Sequence, residues 1–316
     1  RILAYHGIWL GSGHYGNHLY MSPTKFAGRM KYLASSGYPL VTLDDVYSSK
    51  DGSALPSCPV VVTIDDGWYG TYKHMLPSLE INDIPATIYL TTYYAQKQTP
   101  VFQVAMNYML FISSNSLIDV TGLNVPGISG SVNIADEAER KGFADLLLTY
   151  ASDRCTDEER QVLAVALGKL LEVDYQQLAD DKVFHLMSLD QARDALDRGF
   201  DIQPHTHRHR VYRDGQSVIV SELNDCNSVL ADITSRKSAH FCYPSGEYDE
   251  NLWSELESLG MDSATTADSG LADRDSRRFA LPRVFDGENV SNIEFEAELS
   301  GFCEFIRSVK SILRRH

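Results

Sequence analysis

The sequence predicts an α/β protein whose parallel strands form a sheet, either closed into a barrel or open. Short apolar runs alternate along the chain with segments of helical periodicity, which is the pattern of strands joined by helices. The run at residues 59–64, PVVVTI, is β-branched and apolar throughout, as in a strand buried on both faces. The 316 residues are 43% hydrophobic, so the chain can bury a sizeable core.

The first part of the chain contains extended segments and one clear helix. The extended segments are predicted at residues 2–6, 39–43, 59–64 and 85–90. Between the first two, Ser22 caps a helix that has Pro23 in its first turn, and Gly37 ends it. The apolar residues of this helix recur on one face.

A mainly helical insertion is predicted at about residues 103–182, within a single domain that spans residues 1–316. Its two helices, at 137–151 and 156–171, follow a run rich in Gly, Ser and Asn near residues 124–133. Regular alternation resumes after the insertion. We expect helices at residues 188–198, 217–233, 250–259 and 302–315, and strands at residues 200–204, 239–243, 262–266 and 280–284.

Composition and charge argue against several classes of protein. The 43 acidic residues outnumber the 28 Lys and Arg and give a net charge of -15, which repels nucleic-acid phosphates. No apolar run approaches the ~20 residues that span a bilayer, so no transmembrane segment is expected. The five cysteines are scattered, without a CxxC pair, which excludes a zinc ribbon. With no signal-peptide core before the first strand, a cytoplasmic location is favoured, or an extracytoplasmic one if the chain is a mature fragment. No pattern encodes the oligomeric state.

Two adjacent carboxylates follow the apolar strand at residues 59–64. Asp65 and Asp66 are costly to bury at this position unless a cation or hydrogen bonds satisfy them. Gly67 permits a sharp turn after them, so that both side chains face one cavity. The alternative is a solvated Asp-Gly turn, which is common turn chemistry.

A histidine-rich segment follows the predicted strand at residues 200–204. In extended backbone, His205 and His209 would lie roughly 13 Å apart, too far to share one ion. In a helical turn they are neighbours at about 5–6 Å, and His207 and Arg208 then point elsewhere. The alternative is a polar loop without a ligand. Two histidines and one carboxylate form a catalytic metal set that suits Zn²⁺, Fe²⁺, Co²⁺ or Ni²⁺.

Asp66 completes such a set, and Asp65 is then within reach of a metal-bound water as a general base. A third strand end, FCYPSG at residues 241–246, leaves its strand through a Pro and Gly turn. Main-chain N–H groups of such a turn can line an oxyanion hole, although most turns of this kind have no such role. Together these residues indicate metal-assisted hydrolysis.

The three strand ends resemble the motifs of NodB-type polysaccharide deacetylases, carbohydrate esterase family 4. TIDDG at residues 63–67 is similar to the family's Thr-Phe-Asp-Asp-Gly motif. His205, Thr206 and His209 match its His-Thr-x-x-His metal motif, and residues 241–246 resemble its Phe-Ala-Tyr-Pro-Tyr-Gly motif.

The N-terminal segment is similar to the circularly permuted branch of this family. LAYH at residues 3–6, SPxxF at 22–26 and the Leu33-x-x-x-Gly37-Tyr38 pattern carry this likeness. The branch includes deacetylases of poly-N-acetylglucosamine. In it, the histidine of the usual C-terminal Leu-x-His motif is supplied by the N-terminal Tyr-His segment, which gives His6 the general-acid role.

The resemblance implies a distorted (β/α) barrel and one NodB-like deacetylase domain with the helical insertion. It also implies metal-dependent removal of N-acetyl groups from amino sugars of a polysaccharide, an oligosaccharide or a glycan intermediate. Asp66, His205 and His209 hold one divalent metal, with Zn²⁺ favoured over Co²⁺, Ni²⁺ and Fe²⁺. A metal-bound water attacks the amide carbonyl while Asp65 takes its proton. No nucleic-acid partner is implied.

The remaining catalytic roles follow from the same resemblance. The main-chain N–H of Ser245 stabilises the oxyanion, and His6 protonates the departing amine. Ser245 replaces a tyrosine of the family, and Cys242 stands where other branches have an arginine that orients the base. Arg283 is the predicted substitute for that arginine. The Asp-Trp pair of the family's fourth motif is absent from the sequence.

Two alternative functions use the same residues differently. One is a catalytically inactive carbohydrate-binding barrel that stacks sugars on aromatic side chains. The aromatic side chains in question are Trp68, Tyr69, Tyr93, Tyr94, Tyr243 and Tyr248. The other is a hydrolase that cleaves the C–N bond of a cyclic amide or ureide. The intact Asp-Asp and His-x-x-x-His sets favour the deacetylase, since a pure binder needs no general base.

Overall fold

A computed structural model describes residues 1–11, 20–48, 55–211 and 215–313 of the protein. The described strands are β1 (Ile2–Tyr5), β2 (Gly7–Ile8), β3 (Tyr20–Met21), β4 (Val61–Ile64), β5 (Ala86–Leu90), β6 (Leu117–Asp119), β7 (Ser131–Asn133), β8 (Asp201–Pro204), β9 (His240–Cys242), β10 (Ser263–Ser269) and β11 (Leu281–Phe285).

The described α-helices alternate with these strands. They are α1 (Pro23–Ser35), α2 (Leu43–Ser48), α3 (Leu76–Ile81), α4 (Thr92–Lys97), α5 (Phe102–Ile112), α6 (Glu137–Arg154), α7 (Asp157–Leu170), α8 (Tyr175–Asp180), α9 (Leu189–Asp197), α10 (Gln216–Ala231), α11 (Trp253–Ser258), α12 (Asn292–Ser300) and α13 (Phe302–Leu313). A π-helical turn lies at Thr71–Met75, and 3₁₀ turns lie at Val120–Leu123, Pro244–Gly246 and Glu250–Leu252.

Seven parallel strands form one sheet in the order β8-β5-β4-β1-β11-β10-β9. The two edge strands meet through a side chain, because Gln203 Oε1 accepts hydrogen bonds from the main-chain N–H groups of Ala239 and His240, each at 2.9 Å. The sheet is therefore a nearly closed barrel, and the predicted distorted (β/α) barrel is confirmed.

The barrel interior below the carboxyl ends of the strands is apolar. Ile2, Val61, Tyr89, Cys242 and Leu281 come from five different strands and pack into one buried cluster. Because side chains alternate along a strand, the residues two and four positions after these project from the same face toward the carboxyl ends. Polar side chains at those positions therefore lie close together at the carboxyl ends of the strands, next to the apolar cluster.

The first helix forms where the sequence predicts it. The side chain of Ser22 accepts a hydrogen bond from the main-chain N–H of Lys25, which satisfies one free donor of the first turn. The face that carries Phe26, Met30 and Leu33 is buried. Gly37, one residue after the C-cap, has a φ of +79°, so it ends the helix as expected.

A second compact unit consists mainly of Gln98–His185 and corresponds closely to the predicted insertion. Its helices α6 and α7 coincide with those predicted at 137–151 and 156–171. A capping box at Thr156 and Glu159 begins α7. The unit also contains an antiparallel hairpin of β6 and β7, which the apolar pattern does not reveal because the strands are three residues long.

Some elements differ from the sequence prediction. The expected extended segment at 39–43 contains only an isolated bridge between Leu40 and Val60, and α2 begins at Leu43. The reciprocal bonds between Thr42 and Asp45 stabilise that helix start at 2.9 and 3.0 Å. Helix α13 ends the described chain, and the last two residues of the helix predicted at 302–315 lie outside the described residues.

Within the described ranges, no helix is long and apolar enough to cross a membrane. The five cysteines are free thiols, and Cys226 and Cys242 are buried.

Candidate active site

The sequence-predicted site residues emerge from neighbouring strand ends of the barrel. His6 follows β1, Asp65 and Asp66 follow β4, and His205 follows β8. The main-chain N–H of Asp65 continues the ladder by donating to the carbonyl of Tyr5 at 2.8 Å. Parallel strands therefore bring chemistry-bearing residues that lie 200 positions apart to one edge of the sheet.

Asp66, His205 and His209 converge on one point. Asp66 Oδ1 lies 3.4 Å from Nε2 of His205 and 3.4 Å from Nε2 of His209. The two imidazole rings have their centroids 5.0 Å apart. His205 is buried, whereas the side chain of His209 is 39% exposed, so the cluster opens toward solvent on the His209 side.

The donor set fits a divalent transition metal. A tetrahedral ion with bonds of about 2.1 Å separates its ligand atoms by about 3.4 Å, which is the spacing found between Asp66 Oδ1 and each histidine. The three ligand atoms lie within 4.8 Å of one another. Two imidazoles and one carboxylate leave coordination positions for water and substrate.

A second grouping, Asp65, His205 and Cys242, does not fit a cation. Its ligand atoms are equally close together. However, the guanidinium of Arg283 already binds both oxygens of Asp65 and donates to Cys242 Sγ at 3.3 Å. A cation in this position would meet the positive charge of Arg283.

Two contacts orient the side chains of this candidate metal site. His205 Nδ1 lies 2.8 Å from the carbonyl oxygen of Cys242, so this nitrogen carries a proton, and Nε2 is the ring nitrogen directed at Asp66. The second oxygen of Asp66 accepts a hydrogen bond from the indole N–H of Trp68 at 2.8 Å. Neither contact was predicted from the sequence. The position of Trp68, two residues after Asp66 and just beyond the turn at Gly67, was the sequence feature that could have indicated its contact with Asp66.

Trp68 is itself held by packing. Its ring lies edge-on to Tyr20 at a centroid distance of 5.6 Å. A Cβ atom at Gly7 would meet the Trp68 side chain at 3.0 Å, so a residue without a side chain is needed at position 7. The strands β2 and β3 thus fix the indole that orients Asp66.

The histidine segment reaches its geometry by a route other than the predicted helical turn. Residues 205–210 are irregular, with a bend at His207 and Arg208, and Thr206 and His209 have φ values of +60° and +58°. This bend brings the rings of His205 and His209 together as one turn of helix would. As expected, His207 and Arg208 point elsewhere: His207 Nδ1 lies 2.8 Å from Thr92 Oγ1, and Arg208 pairs with Glu222 at 2.9 Å.

Four residues of the site have left-handed backbone. Asp66, Thr206, His209 and Ser245 all have φ values between +57° and +67°, a region that costs a residue with a side chain about 1 kcal/mol. At Gly67, with φ of +79°, a Cβ atom would lie 2.4 Å from Leu90 Cδ1. The fold therefore holds these residues in place against local strain, as is common where side chains must converge.

Arg283 holds Asp65 through a bidentate ion pair. Nη1 and Nη2 each donate to one carboxylate oxygen at 2.7 Å, while Nε donates to the carbonyl of Thr266 at 2.9 Å. Both side chains are buried. Burial alone raises the pKa of Asp65, but the charge and hydrogen bonds of Arg283 outweigh it, and this pKa lies below its usual value. The geometry is that of an arginine orienting an ionised carboxylate, and the arginine lies beside Cys242.

His6 lies on the other side of Asp65. Its Nε2 is 3.6 Å from Asp65 Oδ2. Burial lowers the pKa of His6, and the charges of Asp65 and Asp66 offset part of this effect. The preceding residue anchors this strand end, because the hydroxyl of Tyr5 donates to the buried carboxylate of Asp286 at 3.1 Å.

Ser245 lies in the turn at Pro244–Gly246 that follows β9 and is exposed. The turn is tightly packed, since a Cβ at Gly246 would lie 2.2 Å from Ala267 Cβ. Among the hydrogen bonds described for this chain, none joins Ser245 to Asp65, Asp66 or the histidines. Its oxyanion role stays a prediction.

Two of the six aromatic residues considered for sugar stacking are core residues. Trp68 is buried and bonded to Asp66. Tyr243 is buried, and its hydroxyl donates to the carbonyl of Phe279 at 3.0 Å. Neither ring can form an open sugar platform, which weakens the case for a barrel that only binds carbohydrate.

Solved structures of deacetylases share this fold. They include the deacetylase PplD of Streptococcus pyogenes in complex with acetate (17% identity, 94% of this chain and 96% of that chain, TM-score 0.61). The chain is also similar to a de-N-acetylase of Aggregatibacter actinomycetemcomitans (15% identity, 93% of this chain and 97% of that chain, TM-score 0.58). A third similar structure is IcaB of Ammonifex degensii (16% identity, 95% of this chain and 94% of that chain, TM-score 0.57). The barrel is thus of the deacetylase type.

The sequence model of the polysaccharide deacetylase family matches residues 171–264, which include His205, His209 and Ser245. In this segment and in its barrel fold, the chain is similar to the polysaccharide deacetylase family. No curated protein matches the sequence.

Proposed function

We propose that the protein is a metal-dependent hydrolase that removes N-acetyl groups from amino sugars of a polysaccharide, an oligosaccharide or a glycan intermediate. The observation that carries this proposal is the pairing of two sites at one edge of the barrel. One is the Asp66, His205 and His209 donor set, and the other is Asp65, held ionised by Arg283. The match to the polysaccharide deacetylase model and the similarity to solved deacetylases, among them a de-N-acetylase, support the same reaction.

Asp66, His205 and His209 are the residues that would hold the metal. A divalent cation bound there supplies a Lewis acid for the acetyl carbonyl and lowers the pKa of a coordinated water to near 7. His205 and Asp66 are held for this role by the carbonyl of Cys242 and by the indole of Trp68.

Asp65 takes the proton of the attacking water. Arg283 keeps its carboxylate ionised and fixes its orientation, so the base is in place before substrate binds. His6 gives a proton to the nitrogen of the departing amine. The 3.6 Å between Asp65 Oδ2 and His6 Nε2 provides a short path for the proton from the base to the leaving group. The main-chain N–H of Ser245 donates to the carbonyl oxygen as negative charge develops there.

Acetate release from a pentamer of N-acetylglucosamine tests this function. We expect the purified protein supplied with Zn²⁺ or Co²⁺ to release acetate, and a chelator to abolish release until metal is returned. Asp66→Asn should also abolish it because the variant replaces the anionic carboxylate of the three-ligand set with a neutral amide, a much weaker metal ligand. Asp190→Asn is the matched control, since the Asp190 side chain is 91% exposed on α9, and it should behave as wild type.

Two results would overturn the proposal. One is acetate release that persists in Asp66→Asn or after chelation. The other is binding of the pentamer without turnover and unaffected by chelation, which would instead support the carbohydrate-binding barrel.

A further inference from the structure

Phe285 stands at the end of β11, between two residues of the site. Residues two apart in a strand share a face, so Phe285 and Arg283 project on the same side. In the register of the barrel, Phe285 pairs with Ala4 of β1. His6 lies two residues beyond Ala4, on the same face of the neighbouring strand.

The ring of Phe285 contacts both of these side chains. Its plane lies at 28° to the imidazole of His6, with centroids 6.2 Å apart, which is a stacked arrangement. The Cζ atom of Arg283 is 5.3 Å from the centroid of the same ring. A guanidinium at this distance is attracted to an aromatic face, so Arg283 anchors the ring that His6 stacks against.

His6 needs such a support. Within the described part of the chain, the polar side chain facing its Nε2 is Asp65 at 3.6 Å, which is beyond hydrogen-bond range. Its main chain is held, since its carbonyl accepts a bond from Thr71 Oγ1 at 3.3 Å. The main-chain bond leaves the rotation of the imidazole free, and the flat face of Phe285 limits it.

We propose that Phe285 is a positioning residue that holds the imidazole of His6 with Nε2 directed at Asp65. This inference rests on the proposed deacetylase function, in which His6 delivers a proton to the leaving amine. Arg283 then has two roles. It orients the base through its hydrogen bonds and the acid through the ring of Phe285.

The test compares Phe285→Leu, Phe285→Tyr and wild type by kcat, KM and metal content. Leucine fills much of the volume without a flat face, so we expect kcat to fall about 10–100-fold with KM changed less than about twofold, as for a misplaced catalytic group. Metal content should stay at the wild-type level because Phe285 contacts no metal-binding side chain described here. Tyrosine keeps the ring and should restore kcat. Phe305→Leu, on the exposed face of α13, is the control and should have no effect.

A second readout is independent of turnover. The ring current of Phe285 shifts the proton signals of the His6 imidazole in the NMR spectrum. These signals are assigned to His6 because they disappear from the spectrum of His6→Gln. Phe285→Leu should move these signals, and Phe285→Tyr should leave them nearly in place.

Other results would overturn the assignment. A higher KM with unchanged kcat would show that Phe285 contributes to substrate binding instead. A loss of metal would show that it supports the structure of the metal site. Unmoved His6 signals in Phe285→Leu would show that the ring does not position the imidazole. If wild type itself releases no acetate, the proposed function has failed, and the NMR comparison still decides the positioning role.

Discussion

Asp65→Asn is expected to lower kcat for acetate release by about 10²–10⁴-fold, the usual contribution of a general base. An amide cannot accept the proton of the attacking water, although it has nearly the same shape as the carboxylate. Because Asp65 binds no metal in this arrangement, the variant should keep the wild-type metal content. The measurement is steady-state acetate release at saturating substrate, together with metal analysis of the same samples.

Folding must be monitored in this variant because Arg283 keeps its charge when Asp65 is neutral. Far-UV circular dichroism and the thermal midpoint of Asp65→Asn show whether the barrel survives. Asp190→Asn again serves as the exposed Asp-to-Asn control. A folded, metal-bound Asp65→Asn protein with kcat within tenfold of wild type would contradict the assignment of Asp65 as the base.

Arg283→Met is expected to lower the free energy of unfolding by about 3–5 kcal/mol, the cost of leaving one partner of a buried ion pair without the other. The substitution removes both hydrogen bonds to Asp65 and the bond to the carbonyl of Thr266. Burial would then raise the pKa of Asp65. Urea unfolding followed by circular dichroism measures the change.

A double-mutant cycle separates the ion pair from the lost volume of the arginine. The double variant Asp65→Asn, Arg283→Met should lose less stability than the sum of the two single losses, by more than about 1 kcal/mol. Arg193→Met is the matched control, since its ion pair with Asp190 lies on the surface and should contribute less than about 1 kcal/mol. Equal effects of Arg283→Met and Arg193→Met would show that the buried pair does not support the barrel.

The barrel and the convergence of Asp66, His205 and His209 could be predicted because their signals are local. Each chemistry-bearing segment directly follows a short apolar strand, and parallel strands bring such ends to one edge. The apolar run before Asp65 and the one before His205 therefore sufficed to place both residues. The capping pattern at Ser22 and Pro23 likewise lies within one turn of the helix it begins.

The contacts that orient His205 and Asp66 could not be predicted, whereas Arg283 was predicted as the residue that orients Asp65. The carbonyl of Cys242 that holds His205 is backbone and has no residue-type signature. Nothing in the sequence distinguishes Trp68 from other aromatic residues that follow turns. Its hydrogen bond to Asp66 depends on packing against Tyr20 and Gly7.

The left-handed backbone conformations and the short helices also could not be predicted from the sequence. The approach of His205 and His209 was expected from a helical turn, but a bend with left-handed residues produces it. The helices α2, α3 and α4 are six residues long and give less than two turns of periodicity. Helix α5 is apolar on nearly all sides, so its sequence shows no helical face.

The central claim is that Asp66, His205 and His209 form a divalent metal site, and elemental analysis of the purified protein tests it without any assumption about substrate. We predict about one Zn²⁺ or similar ion per chain in wild type, and its loss in His205→Ala. His207→Ala is the matched control, since His207 lies in the same segment but faces Thr92, and it should keep the metal. Wild-type protein that takes up no Zn²⁺ or Co²⁺, or His205→Ala protein that retains the ion, would contradict the account.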